Sequence, residues 1–144
     1  MGIRRTMMLA LLLFLTGCTA ISVSPVPPEE KLAHVCIKEN PKVIVSNFVP
    51  TLESLFESHL ITTDVFSHIP TKTCEYVLEY TALQSWDFVT YLSYAEFKLY
   101  KGSKRVGYAE YRLRGKGGFS LLKWRGPKAK LKPVIDQLLA EQKI

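Results

Sequence analysis

Serines beside histidines and a glycine-rich turn are the arrangements in this chain whose residue types could do chemistry, and each falls short of it. Ser67-His68 lies just past Asp64, and Ser58 precedes His59. A hydrolase needs a nucleophile, a base and an orienting group converging in one pocket. Adjacent residues on an extended segment point to opposite faces, so Ser67 and His68 do not converge, and no nucleophile-elbow sequence surrounds either serine. His59 reads instead as a packed histidine on an apolar helical face. Gly115-Lys116-Gly117-Gly118 would suit phosphate only if it led into a helix N-terminus. Extended segments flank it, so it reads as a hairpin turn. None of His34, His59 and His68 stands at a spacing that completes a zinc set with cysteine. The reading is of a protein that is not an enzyme, with no catalytic residue, no metal and no cofactor.

Binding chemistry is better represented. The 144 residues carry 19 lysines and arginines against 13 aspartates and glutamates, a net charge of +6. The signs are segregated: Cys18 to Phe97 holds 4 basic and 10 acidic residues, whereas Lys98 to Lys132 holds 12 basic residues and Glu110 as its one acid. Arg112, Arg114, Lys116, Lys123, Arg125, Lys128, Lys130 and Lys132 gather around the last turn and the entry to the closing helix. Two readings stand for them, a solvated cationic face and a site for an acidic partner. Tyr94, Tyr100 and Tyr108 share a strand face with Lys98 and Arg112. Tyrosine mixed with arginine is typical of protein interfaces, and tyrosine also simply suits exposed strands.

These residues need elements to hold them. Val43-Ile44-Val45, running to Phe48, is a short apolar run that predicts a buried strand. Thr51 is placed to cap a helix in which Leu52, Leu55, Phe56, His59 and Leu60 share one face. With Thr62 to Ser67 behind it, this predicts a βαβ unit with parallel strands. From Cys74 the period becomes two, with Tyr76, Leu78, Tyr80 and Ala82 on the cysteine's side. Ser85-Trp86-Asp87 makes a loop. Phe88 to Tyr100 follows as a long strand, apolar at Val89, Tyr91, Ala95, Phe97 and Leu99, with Leu92, Tyr94, Lys98 and Tyr100 opposite. Gly102-Ser103 turns the chain into Val106 to Leu113. A two-residue turn would set Glu110 beside Ala95 and Phe97, so a three-residue turn is expected, aligning Ala109 and Tyr111 with the apolar set. Phe119 to Trp124 reads as a last strand. Leu131, Val134, Ile135, Leu138 and Leu139 then repeat a helical spacing, with Pro133 in the first turns. The sum is an α+β fold: a mixed, mostly antiparallel sheet in β-α-β-β-β-β-α order with two helices packed on one face.

The N-terminus carries Arg4 and Arg5, an apolar run from Met7 to Leu15, then small residues. That is a secretory signal peptide, too short to span a bilayer, which needs roughly 20 residues. Its end, Leu15-Thr16-Gly17-Cys18, resembles a bacterial lipoprotein box. The resemblance implies removal of residues 1–17, lipidation of Cys18 and membrane attachment through that lipid. Thr19, standing where an aspartate would signal retention at the inner membrane, implies the periplasmic face of the outer membrane. Residues 18–33, with Pro25, Pro27 and Pro28, read as an extended lipidated tether. Residues 34–144 are left as one globular periplasmic domain. With Cys18 taken by lipid, Cys36 and Cys74 remain in an oxidising compartment, where a disulfide between them is the default.

The layout is similar to the N-terminal domain of TolB and the periplasmic lipoproteins that share its fold. The likeness is carried by the Cys18 box, Ile44-Val45-Ser46-Asn47-Phe48, the helix from Thr51 and Ile135-Asp136-Gln137-Leu138-Leu139. More narrowly, Cys36 with Cys74-Glu75-Tyr76 and Gly107-Tyr108-Ala109-Glu110-Tyr111 resemble small gammaproteobacterial envelope lipoproteins, a resemblance that implies no activity. The expected function is therefore a lipid-anchored envelope accessory module acting on a partner protein through Tyr94, Tyr100, Tyr108, Arg112, Arg114, Lys116, Lys123 and Arg125. The alternative is a binder of an anionic envelope glycolipid or peptidoglycan through the same basic half. An envelope location excludes chromosomal nucleic acid as the acidic partner.

Overall fold

Alternating apolar residues build one sheet, and two amphipathic helices close its apolar side. The structure, a computed structural model, describes residues 19–68, 73–117 and 121–142. In chain order it contains β1 (Thr19–Ser24), β2 (His34–Lys38), α1 (Phe48–Glu57), β3 (Thr62–Phe66), β4 (Tyr76–Asp87), β5 (Val89–Lys101), β6 (Lys104–Leu113) and α2 (Pro127–Leu138), with 3-10 turns at Arg114–Gly117 and Leu121–Trp124. The strands form one sheet in the order β1-β6-β5-β4-β2-β3. β2 runs parallel to β3 and β4, and the remaining pairs are antiparallel. From β2 onward this is the expected β-α-β-β-β-β-α order and α+β class. β1 is an additional edge strand.

The apolar side is continuous across the sheet. Leu78 faces Leu99, Tyr80 faces Phe97, Ala82 faces Ala95, and Ala95 and Phe97 face Tyr111 and Ala109 in turn. Phe48 of α1 stacks on Phe97 at 6.1 Å and tilts against Tyr80 at 5.4 Å. Leu131, Val134, Ile135 and Leu138 of α2 are fully buried, each contributing about 1.5–3 kcal/mol. Gly107 lets α2 and the chain after β1 come this close, since a Cβ there would stand 2.7 Å from Val26 and 3.1 Å from Leu138.

Several expected elements move. The strand expected at Val43 to Phe48 is irregular chain, with Ile44 73% exposed, and its place in the sheet is taken by β2. Three β-branched residues in a row favour a strand, but Val43 and Val45 instead pack as a flap against the core. α1 starts at Phe48 behind a left-handed Asn47, so Thr51 is not its cap. It ends before Leu60, whose own left-handed backbone turns its side chain outward and Ile61 inward. Much of the expected tether belongs to the domain: Ile21 and Val23 pack on Tyr111 and Ala109, and Val26, Glu30 and Leu32 are buried. Glu30 accepts from Tyr76 and pairs with Lys101, both at 2.8 Å, and these bonds hold its carboxyl below the ordinary range.

The β5–β6 register reaches the expected alignment by a different device. Lys101 pairs with Lys104 across a two-residue Gly102-Ser103 turn, and a bulge between Leu99 and Tyr100 absorbs the extra residue at Val106. A second bulge, at Leu83/Gln84, turns Leu92 into the core, so it leaves the outer face where alternation put it. Leu121–Trp124 is a 3-10 turn, not a strand, and Phe119 lies outside the described residues. Pro133 sits inside α2, since the helix already begins at Pro127.

Candidate functional site

The sheet face turned away from the helices gathers Tyr94, Tyr100, Tyr108 and Arg112, as alternation requires. Register sets Tyr94 opposite Arg112, Lys98 opposite Tyr108 and Glu96 opposite Glu110. Two carboxylates facing across strands repel, and this pair is bridged on every side. Tyr108 donates its hydroxyl to Glu110 at 2.7 Å and lies 3.3 Å from Glu96. Lys98 pairs with Glu96 at 2.7 Å and Arg112 donates to Glu110 at 3.1 Å. The Arg112 guanidinium lies over the Tyr94 ring at 4.9 Å, and Arg105 over Tyr108 at 5.1 Å. The bond to Glu110, with burial, pushes the Tyr108 hydroxyl well above its ordinary pKa, and the same bond lowers Glu110. Tyr94 is raised by burial and by the two glutamates. The face is thus a neutralised lattice of tyrosine, glutamate, arginine and lysine, with the Tyr94 and Tyr108 rings held in place. A hollow of about 440 Å³ at its β2 side is lined by Lys38, Asn40, Lys42, Glu79, Glu96 and Lys98.

The remaining predicted binding residues stand elsewhere. Arg114 and Lys116 belong to the 3-10 turn after β6, and Arg125 follows the second 3-10 turn. Lys123 is buried, with its ammonium 2.5 Å from the Asp87 carboxylate. Lys130 is buried too, donating to the carbonyl of Leu92 at 2.9 Å and to that of Lys123, beside the Tyr91 ring. Burial lowers its pKa to about 8. Lys128 donates to Ser54, and Lys132 pairs with Asp136 one turn along α2. The basic run therefore divides into clamps, local pairs and a small exposed group that includes Arg114 and Arg125.

What the clamps hold is the tip of the β4–β5 hairpin, a feature no motif had marked. Asp87 takes Lys123, the indole of Trp124 donates to the Asp87 carbonyl at 3.3 Å, and Lys130 ties Leu92 to the second 3-10 turn. At the tip Phe88 has φ 63° and is 84% exposed. Holding an aromatic residue in that left-handed conformation costs roughly 1–2 kcal/mol. Trp86 is 73% and Leu121 74% exposed beside it, with Val89 and Trp124 also open. The loop expected at Ser85-Trp86-Asp87 is the end of β4, and the chain turns at Phe88, the expected start of the next strand; two aromatics flanking an acid were the available signal.

Cys36 and Cys74 are bridged, with Cα atoms 5.9 Å apart, tying β2 to the chain entering β4. The serine and histidine candidates have separate partners: Ser67 donates to Glu39, Ser58 to the Leu55 carbonyl, His59 contacts Asp136 at 2.9 Å, and Asp64 stands 3.4 Å from His34. Gly115 and Gly117 form a 3-10 turn, with Gly118 outside the described residues. Among the described residues no helix is long and apolar enough to cross a membrane, and no three ligating side chains cluster. Cys18 lies outside the described residues.

No protein-family profile and no curated protein matches the chain. Solved structures do. A PelC dodecamer from Paraburkholderia phytofirmans superimposes with a TM-score of 0.57 at 12% identity, over 87% of this chain and 99% of that one. A leucine-to-methionine variant of the same dodecamer gives 0.55 at 10% identity, over 86% and 96%. At such identity the likeness is one of fold, along nearly the whole of each chain.

Proposed function

We propose that this protein is a lipid-anchored accessory module of the bacterial envelope that works by protein–protein contact through its open sheet face, further copies of itself included. The observation that carries the reading is the uncovered face of β4, β5 and β6, where Tyr94, Tyr108 and Arg112 are fixed in a lattice whose charges already cancel and Tyr100 lies on the same face. Such a face loses little side-chain entropy on docking, and tyrosine and arginine supply large contact area. The leader and Cys18 support attachment at the periplasmic side of the outer membrane, in keeping with the TolB-like layout. The fold likeness to a protein that crystallises as a dodecamer supports self-association.

Native mass spectrometry of the mature, lipidated chain tests this, together with crosslinking in the producing cell. Multiples of the monomer mass or a reproducible crosslinked partner are expected. Tyr94→Ser, Tyr100→Ser and Tyr108→Ser combined should abolish them, while Arg114→Gln with Arg125→Gln should not. The opposite pattern, with binding to acidic envelope polymers that weakens steeply with salt, would favour the glycolipid or peptidoglycan reading. Turnover of a substrate abolished by one serine or histidine substitution would sink both.

A further inference from the structure

The lipid-bearing end of the chain and the exposed aromatic tip lie on one side of the molecule, and we infer that this side is a membrane-docking surface that sets Trp86, Phe88, Val89 and Leu121 into the headgroup layer of an anionic bilayer. The inference rests on the reading that Cys18 carries lipid. Thr19 pairs with Leu113, the last residue of β6, so the chain enters the domain at the end of the sheet where β6 finishes. Cys18 immediately precedes Thr19, the first residue of that strand, in the sequence. β4 ends and β5 begins at that same end, because Arg112 pairs with Tyr94 and the hairpin continues outward to Asp87 and Val89. From Ser93, level with Thr19, to Val89 the hairpin overshoots by four residues, roughly 13 Å when upright and less when tilted. Interfacial segments reach about 5–10 Å into the headgroup boundary, within that overshoot.

The chemistry of the tip matches that depth. Tryptophan and phenylalanine favour the membrane interface, where an apolar ring meets a wet edge. The acid among them, Asp87, is neutralised by Lys123, which removes the charge that would oppose entry. Arg114 and Arg125 are exposed around this end, positioned for lipid phosphates. Lysines buried behind the tip hold it rigid, so it enters as a preformed wedge and not as a loop that must order on contact. A short link between lipid and sheet, where a long tether had been expected, fixes the domain's orientation toward the bilayer and leaves the tyrosine face to the side.

The chain supplies its own probe, since its 2 tryptophans, Trp86 and Trp124, both belong to this end. The lipidated mature protein is reconstituted into vesicles of phosphatidylethanolamine and phosphatidylglycerol, with and without dibrominated phosphatidylcholine. Brominated lipid is expected to quench at least about half of the tryptophan emission, which shifts to the blue, and Phe88→Asp with Leu121→Asp should cut the quenching at least about threefold. Leaving out phosphatidylglycerol should reduce it as well. Emission that stays unshifted, unquenched by bromolipid and open to aqueous iodide while the protein floats with the vesicles overturns the inference and points the tip at a partner protein. The mass of the N-terminal peptide tests lipidation separately, so a failed anchor and a failed tip give different results.

Discussion

The open sheet face and the hairpin tip are both exposed, but they are built on opposite principles. On the face, Glu96, Glu110, Lys98, Arg112 and Tyr108 answer one another, and the Tyr94 and Tyr108 rings lie against arginines. At the tip the polar groups turn inward as clamps, and what faces outward is apolar. A self-satisfied polar lattice stays soluble until a complementary surface arrives. An apolar knob backed by buried lysines is an arrangement whose cost is met only when the knob is covered. Exposure alone does not separate the two. The direction in which the charged groups point does.

The frame common to both regions gives the largest expected effect. Replacing Cys36 and Cys74 with serine opens a loop of 38 residues and should cost about 4 kcal/mol by the loop-closure relation. Denaturant unfolding with and without reductant checks it, and thiol counting on the exported, unreduced chain should find neither cysteine free. A wild-type curve that does not respond to reductant would break the assumption that β2 and β4 hold the tyrosine lattice through this bridge.

Lys130 bears on the tip alone. Lys130→Met should destabilise by about 1–3 kcal/mol, because the buried carbonyls of Leu92 and Lys123 lose a donor. The pH dependence carries a sign. With its folded pKa lowered to about 8 and an ordinary value of 10.5, Lys130 binds fewer protons folded than unfolded between those values. Stability therefore rises with pH across that window, most cleanly from about pH 8 to 10, before tyrosines ionise. Thermal melts should show the gap between wild type and Lys130→Met widening over that range. Parallel curves would mean the ammonium is solvated and the tip is not clamped as described.

The face was legible in the sequence because strand alternation has one dominant competitor, the bulge. Tyr94, Tyr100, Tyr108 and Arg112 fall where period two puts them, whereas Leu92 does not, since one unpaired residue at the Leu83/Gln84 bulge reverses the side on which it points. The same device at Leu99/Tyr100 aligned Ala109 and Tyr111 with the core through a turn shorter than the one expected. Composition misled where charge stood for exposure: Lys123 and Lys130 read as part of a cationic surface, and their burial depends on Asp87 and on the Leu92 carbonyl, both distant in sequence, with the nearby Lys123 carbonyl completing the site of Lys130. Val43 to Val45 yielded its expected strand position to His34–Lys38, and Thr19 to Ser24, read as tether, became an edge strand, for a similar reason. Both segments can form strands, and the choice lies in which finds an open edge, a tertiary fact that no local pattern carries.

The smaller effects set the two regions directly against each other. Tyr108→Phe leaves Glu96 and Glu110 facing each other with one bridge fewer, and should cost about 0.5–1.5 kcal/mol, with a lower melting temperature at neutral pH. Trp86→Ser together with Phe88→Ser removes far more atoms, yet should change stability by no more than about 0.5 kcal/mol, because both side chains are already in water in the isolated domain. Replacing the left-handed Phe88 by glycine should even stabilise slightly, by up to about 1 kcal/mol, as the relief of left-handed strain exceeds the chain entropy that glycine adds to the unfolded state. Paired denaturation curves decide the matter. Should the double tip substitution destabilise as strongly as Tyr108→Phe, the aromatics would be packing within the fold, and the contrast between a lattice that holds itself and a knob that awaits a cover would collapse.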